Sequence, residues 1–555
     1  MVGAQRVASP EPEGPLVIMQ LLPFEIRLPA FFGQIAILLT LIVAAPVAEA
    51  QVTAFRQAVA ETAARDADLA AFYRARDFEG IWTGSSEDVQ ARRNAFLGAL
   101  VDAGAHGLPA GRYDPANVVA MLQAATTVAD QGRVEVEMSR LFLQYATDIQ
   151  TGVLVPGEVI TAIRREVPYR DRLVTLEDFS QTAPAAFLRS LPPASPEYTR
   201  LMREKLRLEA LIPTGGWGPA VPGGALEPGA SGERVVALRN RLIAMGYMER
   251  SATQTYDGIM QTAVQLFQEA HGLTQDGVVG QGTLEQVNVP IEQRLQSIIV
   301  AMERERWTNA PRGERHIWVN LVDFTAAIVD NDRVTFRTRS VIGATAGDRQ
   351  TPEFSDVMEF MVINPSWYVP RSIIVNEYLP ALRSNPGAHG HLEITDSSGR
   401  RVNRSAANFS GYSASSFPYA MRQPPGPRNA LGVVKFMFPN VYNIYLHDTP
   451  ARDLFGREVR AFSHGCIRLN DPRDFAYALL ARQTDDPEGF FAERLNTGAE
   501  TRVDLEVPVP VHLDYRTAFT LVTGALNFRG DVYGRDQRIW EALASEGVVI
   551  GGVQG

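Results

Sequence analysis

The sequence holds one cysteine, Cys466, among 555 residues. A lone cysteine excludes a disulfide framework within the chain and leaves three readings: an intermolecular link, a buried bystander or a reactive thiol. Positive charge is also in deficit. Lys and Arg number 53 against 63 Asp and Glu, for a net charge of −10 and a pI of about 5.5. That argues against nucleic acid as the main partner, because phosphate neutralisation needs a basic surface. What is present is ordinary for a folded protein: 45% hydrophobic and 21% charged residues. A chain this long exceeds one hydrophobic core, so about three or four domains are expected. The 35 prolines and 45 glycines point to many loops and at least one linker.

Near the start, Arg27 precedes the apolar run AFFGQIAILLTLIVAAPV, followed by AEA and Gln51. A positive residue, an apolar core and small residues at the −3 and −1 positions predict an export signal cleaved after Ala50. The run is also nearly long enough to span a bilayer, so residues 1–50 read as a signal peptide or an N-terminal membrane anchor. Met19 is an alternative start. Outside the cytosol thiols tend to be paired, which sharpens the question of Cys466. Its neighbours Ser463, His464, Gly465 and Arg468 are polar, basic or small, unlike those of a buried structural cysteine.

Residues 51–212 read as a helical domain. Phe96, Leu97, Leu100 and Val101 form one stripe, and Leu201, Leu206 and Leu208 another. His106 reads as a packing or capping residue. A Pro/Gly-rich linker spans 213–233. A compact unit of three helices over 234–290 has Val235, Leu238, Leu242 and Met245 on its first stripe and Val264, Phe267 and Leu273 on its second. A Gly-punctuated loop, DGVVGQGT, opens its last helix. An amphipathic helix over Ile291–Trp307 presents Ile291, Leu295, Ile298 and Met302 on one face. After Gly313 the period changes to two, as in HIWVNLVDF, RVTFRTRSVIG, VVKFMF and NIYLHD, which predicts a β-rich domain over 291–368 and 423–510. Residues 369–422 interrupt it with a Pro-, Asn-, Ser- and Gly-rich stretch, long enough to be a lid or an inserted subdomain. A closing strand and a helix are expected over 511–555.

In IYLHDTP the alternation puts Ile444 and Leu446 on one side of a strand, Tyr445 and His447 on the other. Cys466 follows in SHGC. A thiol is only slightly ionised at neutral pH, and an adjacent imidazole lowers its pKa and shuttles a proton, so Cys466 and His447 read as nucleophile and base. Gly465 permits a sharp turn that exposes consecutive N–H groups to a developing oxyanion. His464 is placed to support that orientation or bind substrate, and Ser463 to steer a histidine. Asp471, Pro472 and Asp474 predict a helix start with Asp471 as its cap.

These residues resemble the L,D-transpeptidases of the YkuD-like catalytic fold, whose pattern is a His and then Ser/Thr-His-Gly-Cys; here that is His447 and Ser463-His464-Gly465-Cys466. RQPPGPRNALGVVKFMFPNVYNIYLHDTP resembles the large periplasmic members with an inserted lid, and 234–290 resembles the small three-helix peptidoglycan-binding domain. The resemblance implies a multidomain α+β chain: a β-rich YkuD-like catalytic domain with an inserted lid subdomain, the peptidoglycan-binding domain and an N-terminal helical scaffold domain. It implies an exported, cell-envelope enzyme. Cys466 would attack a stem tetrapeptide, release D-alanine and pass the acyl group to a second stem, giving a 3–3 cross-link. Its partners would be peptidoglycan stem peptides, with carbapenems as covalent inhibitors and no cofactor or metal. Cys466, His447, His464, Gly465 and Ser463 would be catalytic, and Arg468, Tyr445, Arg422, Asn429 and Trp367 would bind substrate. Many family members have Asn where Arg468 stands; the large periplasmic members share the Arg.

Other readings stand beside these. His447, Asp448, His464 and Cys466 have residue types that suit zinc, but His464 and Cys466 lack the usual spacing, and His447 and Asp448 point to opposite faces of a strand. Asn364, Trp367 and Tyr368 form a turn with an aromatic anchor that either packs or borders the cleft. RNALG either shapes a donor site or forms a tight loop. An L,D-carboxypeptidase, a relative that attaches a protein lysine to the wall, and a wall-binding scaffold with a silent catalytic domain are the competing functions.

Overall fold

The computed structural model of the chain describes residues 52–551, so the apolar N-terminal run and its expected cleavage site lie outside the described residues. Among the described residues no helix is long and apolar enough to cross a membrane.

The first region is helical as expected. Its longest helix, Val128–Thr151, starts at a capping box in which Thr127 and Asp130 satisfy each other's backbone donors. Its buried face meets Trp82, Phe96 and Phe179; Phe142 stacks on Phe179 at 4.3 Å. Two residues assigned to buried stripes fall outside them. Val101, at the end of its helix, is 68% exposed, and Leu206 is 44% exposed, because each lies off the line set by its buried neighbours.

Residues 213–233 are not a free linker. Trp217, Val221 and Leu226 are buried, the latter two in the core of the three-helix unit. Val221 and Asn288 exchange hydrogen bonds through the Asn side chain. The Arg241 guanidinium donates to the carbonyls of Gly218 and Val287. Proline and glycine here shape a strap that the unit needs, so its first boundary lies upstream of 234.

The β-rich region contains β1 (Arg315–Asn320), β2 (Thr325–Asp330), β3 (Arg333–Gly343), β4 (Phe354–Ile363), β5 (Trp367–Tyr368), β6 (Glu393–Thr395), β7 (Ala420–Gln423), β8 (Val434–Met437), β9 (Leu446–His447), β10 (Ala461–Ser463), β11 (Ile467–Leu469), β12 (Thr501–Asp514), β13 (Ala518–Thr520) and β14 (Leu526–Phe528). The main sheet runs β10-β3-β11-β9-β8-β4-β12-β1-β2, and β2 pairs again with β3. The ladder therefore closes on itself, around a core of Ile317, Met361, Phe436, Leu446, Ile467 and Leu513. Closure leaves no free edge between β2 and β3. The strand β12 is continuous through residue 511, paired with β4 on one side and β1 on the other, so the expected break after 510 cuts a central strand.

The insertion is a subdomain with its own core of Ile373, Ile374, Leu379, Leu382, Phe409, Phe417 and Met421. Its small sheet, β5-β7-β6, extends past the expected boundaries, by the strand β5 back to Trp367 at one end and by one residue to Gln423 at the other.

The helix Ile291–Trp307 departs from the amphipathic expectation. Its apolar face is buried as read, but so are Arg294, Glu303, Arg304, Glu305 and Arg306. The helices Pro196–Leu211 and Val128–Thr151 pack on it from the N-terminal region, and Arg535–Ser545 from the C-terminus. The charges of residues 303–306 are paired inside. Arg304 meets Glu353 at 2.5 Å and Asp536 at 2.8 Å, and Arg306 meets Glu303 at 2.6 Å.

Candidate active site

The register of the closed sheet brings the singled-out residues together. In the parallel pair β9–β11, Leu446 stands beside Ile467 and His447 beside Arg468. One position back, Tyr445 stands beside Cys466. Alternation then puts Tyr445, His447, Cys466 and Arg468 on one face, while Leu446, Ile467 and Leu469 fill the core.

Cys466 is half-buried and unpaired in any disulfide. Its thiol donates to the Asn443 carbonyl at 3.4 Å. Asn443 holds φ at +56°, which aims that carbonyl at the sulfur. Desolvation pushes the Cys466 thiol up to about 11, against hydrogen bonds from the Tyr445 backbone and side chain and the Arg468 charge. Burial likewise pushes His447 down to about 3, aided by Arg468 and Lys435, with a hydrogen bond to the backbone of Asp448 opposing. The free site thus holds a neutral thiol and a neutral imidazole, not the preformed ion pair that the sequence suggested. His447 Nδ1 lies 2.5 Å from the Asp448 carbonyl oxygen. A carbonyl only accepts, so Nδ1 carries the proton and Nε2 keeps the lone pair.

Desolvation and the neighbouring sulfur hold the Tyr445 phenol well above its ordinary value, so it stays a donor; the Trp367 side chain hydrogen-bonds to it and pulls the other way. Trp367 is therefore beside the cysteine, as is the Arg468 guanidinium. Arg422 lies on β7 opposite Tyr368, with its guanidinium 5.9 Å from that ring.

Four expectations change. Ser463 is buried and steers no histidine: its hydroxyl donates to the Cys466 carbonyl at 2.5 Å and accepts the Gly465 N–H at 3.1 Å. Gly465 does make the sharp turn, at φ +112°, where a Cβ would press within 3.0 Å of Ile444. Its N–H is engaged by Ser463, which removes it from the expected oxyanion donors. Asn429 is 1% exposed and spends its amide on the Pro424 carbonyl and the Leu431 N–H. It folds the RNALG loop and does not face a ligand. That loop also needs Gly432, where a Cβ would fall 2.2 Å from Asp448. Asp471 precedes the helix Pro472–Leu480 but caps it with no side-chain bond, because its carboxylate accepts from Thr338 instead.

Sequence reading missed three neighbours. Thr351 donates to the Gly465 carbonyl at 2.7 Å. Glu377, on the lid, accepts from His464 Nε2 at 2.6 Å and from Arg349 at 2.7 Å, tying the lid to the cysteine loop. Lys435 sits beside His447 across β8–β9. Only Lys435 left a signal, as the polar position in the alternating VVKFMF. Among the described residues no group of three or more His, Cys, Asp or Glu is arranged to hold a metal. A cleft of about 790 Å³ lies elsewhere, among His271, Arg337, Arg460 and Arg529.

Comparison with known families matches residues 314–500 to the L,D-transpeptidase catalytic domain, YkuD. Residues 314–500 are thus similar to an L,D-transpeptidase catalytic domain. Residues 67–204 match a scaffold domain, and 231–287 match a "Putative peptidoglycan binding domain", which begins at the strap described above. A Haemophilus influenzae protein described as a "Putative L,D-transpeptidase" is 30% identical over 246 residues, covering 43% of this chain and 48% of that protein. The chain thus aligns with about half the length of that relative. Solved L,D-transpeptidase structures from Xylanimonas cellulosilytica and Stackebrandtia nassauensis are 17% and 14% identical, with TM-scores of 0.17 and 0.21. They cover 53% and 54% of this chain and each is itself 98% covered. At those scores the fold rests on the sheet of the transpeptidase domain itself.

Proposed function

We propose that the protein is a cell-envelope L,D-transpeptidase that forms 3–3 cross-links through a thioester on Cys466. The observation that carries this reading is the strand register: Cys466 and Arg468 lie on the same face as Tyr445 and His447, beside an inserted lid. On this reading the donor tetrapeptide lies between lid and sheet. His447 Nε2 takes the thiol proton as Cys466 Sγ attacks the carbonyl of the third stem residue. The proton then passes to the leaving amine of D-alanine. An amine of a second stem attacks the thioester, gives up a proton to His447 and restores the thiol. Because thiol and imidazole are both neutral at rest, proton transfer accompanies attack, as general-base catalysis requires. Tyr445, protonated and hydrogen-bonded at the sulfur, supplies a donor beside the developing oxyanion together with the Cys466 N–H. Glu377 holds the lid to the cysteine loop through His464, and a closed lid keeps water from competing with the acceptor amine. Arg468 and Arg422 offer planar forks for stem carboxylates. The region before residue 52 acts as the export signal or anchor.

Incubation of the purified protein with disaccharide-tetrapeptide tests this by mass spectrometry. A cross-linked dimer lacking one D-alanine supports the proposal. Tripeptide alone assigns hydrolysis, an L,D-carboxypeptidase, and no change in the tetrapeptide overturns both. A carbapenem is expected to add its mass to the wild type and not to Cys466→Ala.

A further inference from the structure

Across three adjacent strands, Lys435, His447 and Arg468 occupy one row: Lys435 stands beside His447 in β8–β9, and His447 beside Arg468 in β9–β11. Both flanking side chains are half-buried. Burial disfavours their charge: desolvation pulls both Lys435 and Arg468 below their ordinary values. Among the described residues neither has a carboxylate within 4.0 Å, whereas Arg315, the other half-buried arginine on the strands of the main sheet, is paired with Asp330. Arg468 Nε is buried without a hydrogen-bond partner. Glu500 favours the charge of Lys435 from beyond ion-pair distance, and the Cys466 sulfur, once ionised, would favour that of Arg468. Two desolvated cations held without a direct counter-ion are costly unless a ligand brings the missing anion.

We propose that Lys435 and Arg468 form an anion cradle that takes the carboxylate of the departing D-alanine, and that its arrival switches His447 on as a base. This rests on the transpeptidase reading for the identity of the anion, not for the cradle. The reach is suitable. A C-terminal carboxylate lies about 3–4 Å from the scissile carbon. Arg468 is two residues along the strand from Cys466, about 6.6 Å, and Lys435 is two strands over from Arg468 in the same row, about 10 Å from Arg468 and about 12 Å from Cys466. The Lys435 stem and the Arg468 fork extend inward from those positions over the gap.

The electrostatic consequence follows from what surrounds His447. Lys435 comes from β8, Arg468 and Cys466 from β11 and its loop, and Tyr445 from its own strand. The Asp448 carboxylate is turned away, bonded to the Val433 N–H and to Arg452. Both cations disfavour imidazolium. A bound carboxylate cancels their field, so the ring accepts the thiol proton only when a donor with a free C-terminus is seated. The Sγ–C bond forms, the C–N bond to D-alanine breaks, and the proton carried by His447 leaves on the D-alanine amine. The carboxylate leaves with it, and the base is switched off again. Lys435 thereby becomes a specificity residue for peptides that end at position four.

The test uses the full-length protein with Lys435→Gln and Lys435→Arg, and two readouts. The first is thioester formation, by intact mass, with tetrapeptide and with its C-terminal amide. The wild type is expected to prefer the free acid about tenfold or more, Lys435→Gln to lose that preference, and Lys435→Arg to keep most of it. The second needs no muropeptide: the ratio of Cys466 alkylation by iodoacetate to that by iodoacetamide. Lys435→Gln is expected to lower this ratio about five- to tenfold, and Lys435→Arg to leave it near the wild type. An unchanged ratio and unchanged acid preference in Lys435→Gln overturn the cradle. A lowered ratio with no acylation by any peptide keeps the cradle and overturns the transpeptidase reading instead.

Discussion

Two sets of cations in this molecule are treated in opposite ways. At the end of the helix Ile291–Trp307 the charges of residues 303–306 are almost fully buried and each has a partner: Arg304 with Glu353 and Asp536, Arg306 with Glu303, and Glu305 with Arg516 and Arg312. On the sheet face beside Cys466, Lys435 and Arg468 are only half-buried and have none within ion-pair distance among the described residues. The first set joins the N-terminal helices, the sheet and the C-terminal helix at their common contact. The second sits where another molecule would have to complete it. Pairing, more than burial, separates charge that holds a fold from charge that waits for a ligand.

The comparison breaks or sharpens under four perturbations. The largest effect is expected at His447. Replacement by Gln keeps the size of the ring but removes the base, and acylation should fall about 10²–10⁴-fold with an unchanged melting temperature. A matching loss of stability would make the face structural. Next comes Glu353→Gln, which leaves Arg304 and Arg535 short of charge in the interior. We expect about 3–5 kcal/mol of destabilisation, measured by urea unfolding, because an uncompensated buried charge remains. A small loss would make the buried set as dispensable as the exposed pairs.

The third is pH. His447 titrates at about 3 in the fold, against an ordinary value of 6.5. Folding favours its neutral form, so its contribution is complete above about pH 6.5 and is lost as pH falls toward 3. Unfolding midpoints in His447→Gln should show a weaker fall over that window than the wild type. At the alkaline end, alkylation of Cys466 should keep rising toward its value of about 11, with no plateau near neutrality. A plateau there would mean a preformed ion pair. The smallest effect belongs to Glu377→Gln, which weakens a partly exposed contact to His464 and Arg349. A loss of about 0.5–1 kcal/mol in lid closure is expected, read as faster amide exchange over residues 371–384.

Much of the site was legible because local patterning carries it. The alternation in IYLHD told which side Tyr445 and His447 face, and the lone thiol drew attention to its loop. Registers and partners were not legible, since they depend on strands far apart in the chain. Glu377 and Thr351 come from the lid and from the turn before β4, and no local pattern marks either. Asn429 was expected to bind substrate through the resemblance of its stretch, with a tight loop as the alternative, and its amide is consumed by its own loop. The same limit affected the fold. RERW on the helix Ile291–Trp307 reads as a solvent face until distant helices cover it, and the Pro/Gly run at 213–233 reads as slack until Trp217 and Val221 are seen packed.

The C-terminal helix reaches the nucleophile through a relay of two residues. Arg535 donates to the Thr351 carbonyl at 2.7 Å, and the Thr351 hydroxyl in turn holds the Gly465 carbonyl. Tyr533 fastens the same turn through the Gly343 carbonyl at 2.6 Å. A chain that is still being made has its thiol long before it has this brace. Arming therefore waits for the tail to dock, and a copy truncated ahead of Asp531 should carry an intact Cys466 on a loop that is no longer set.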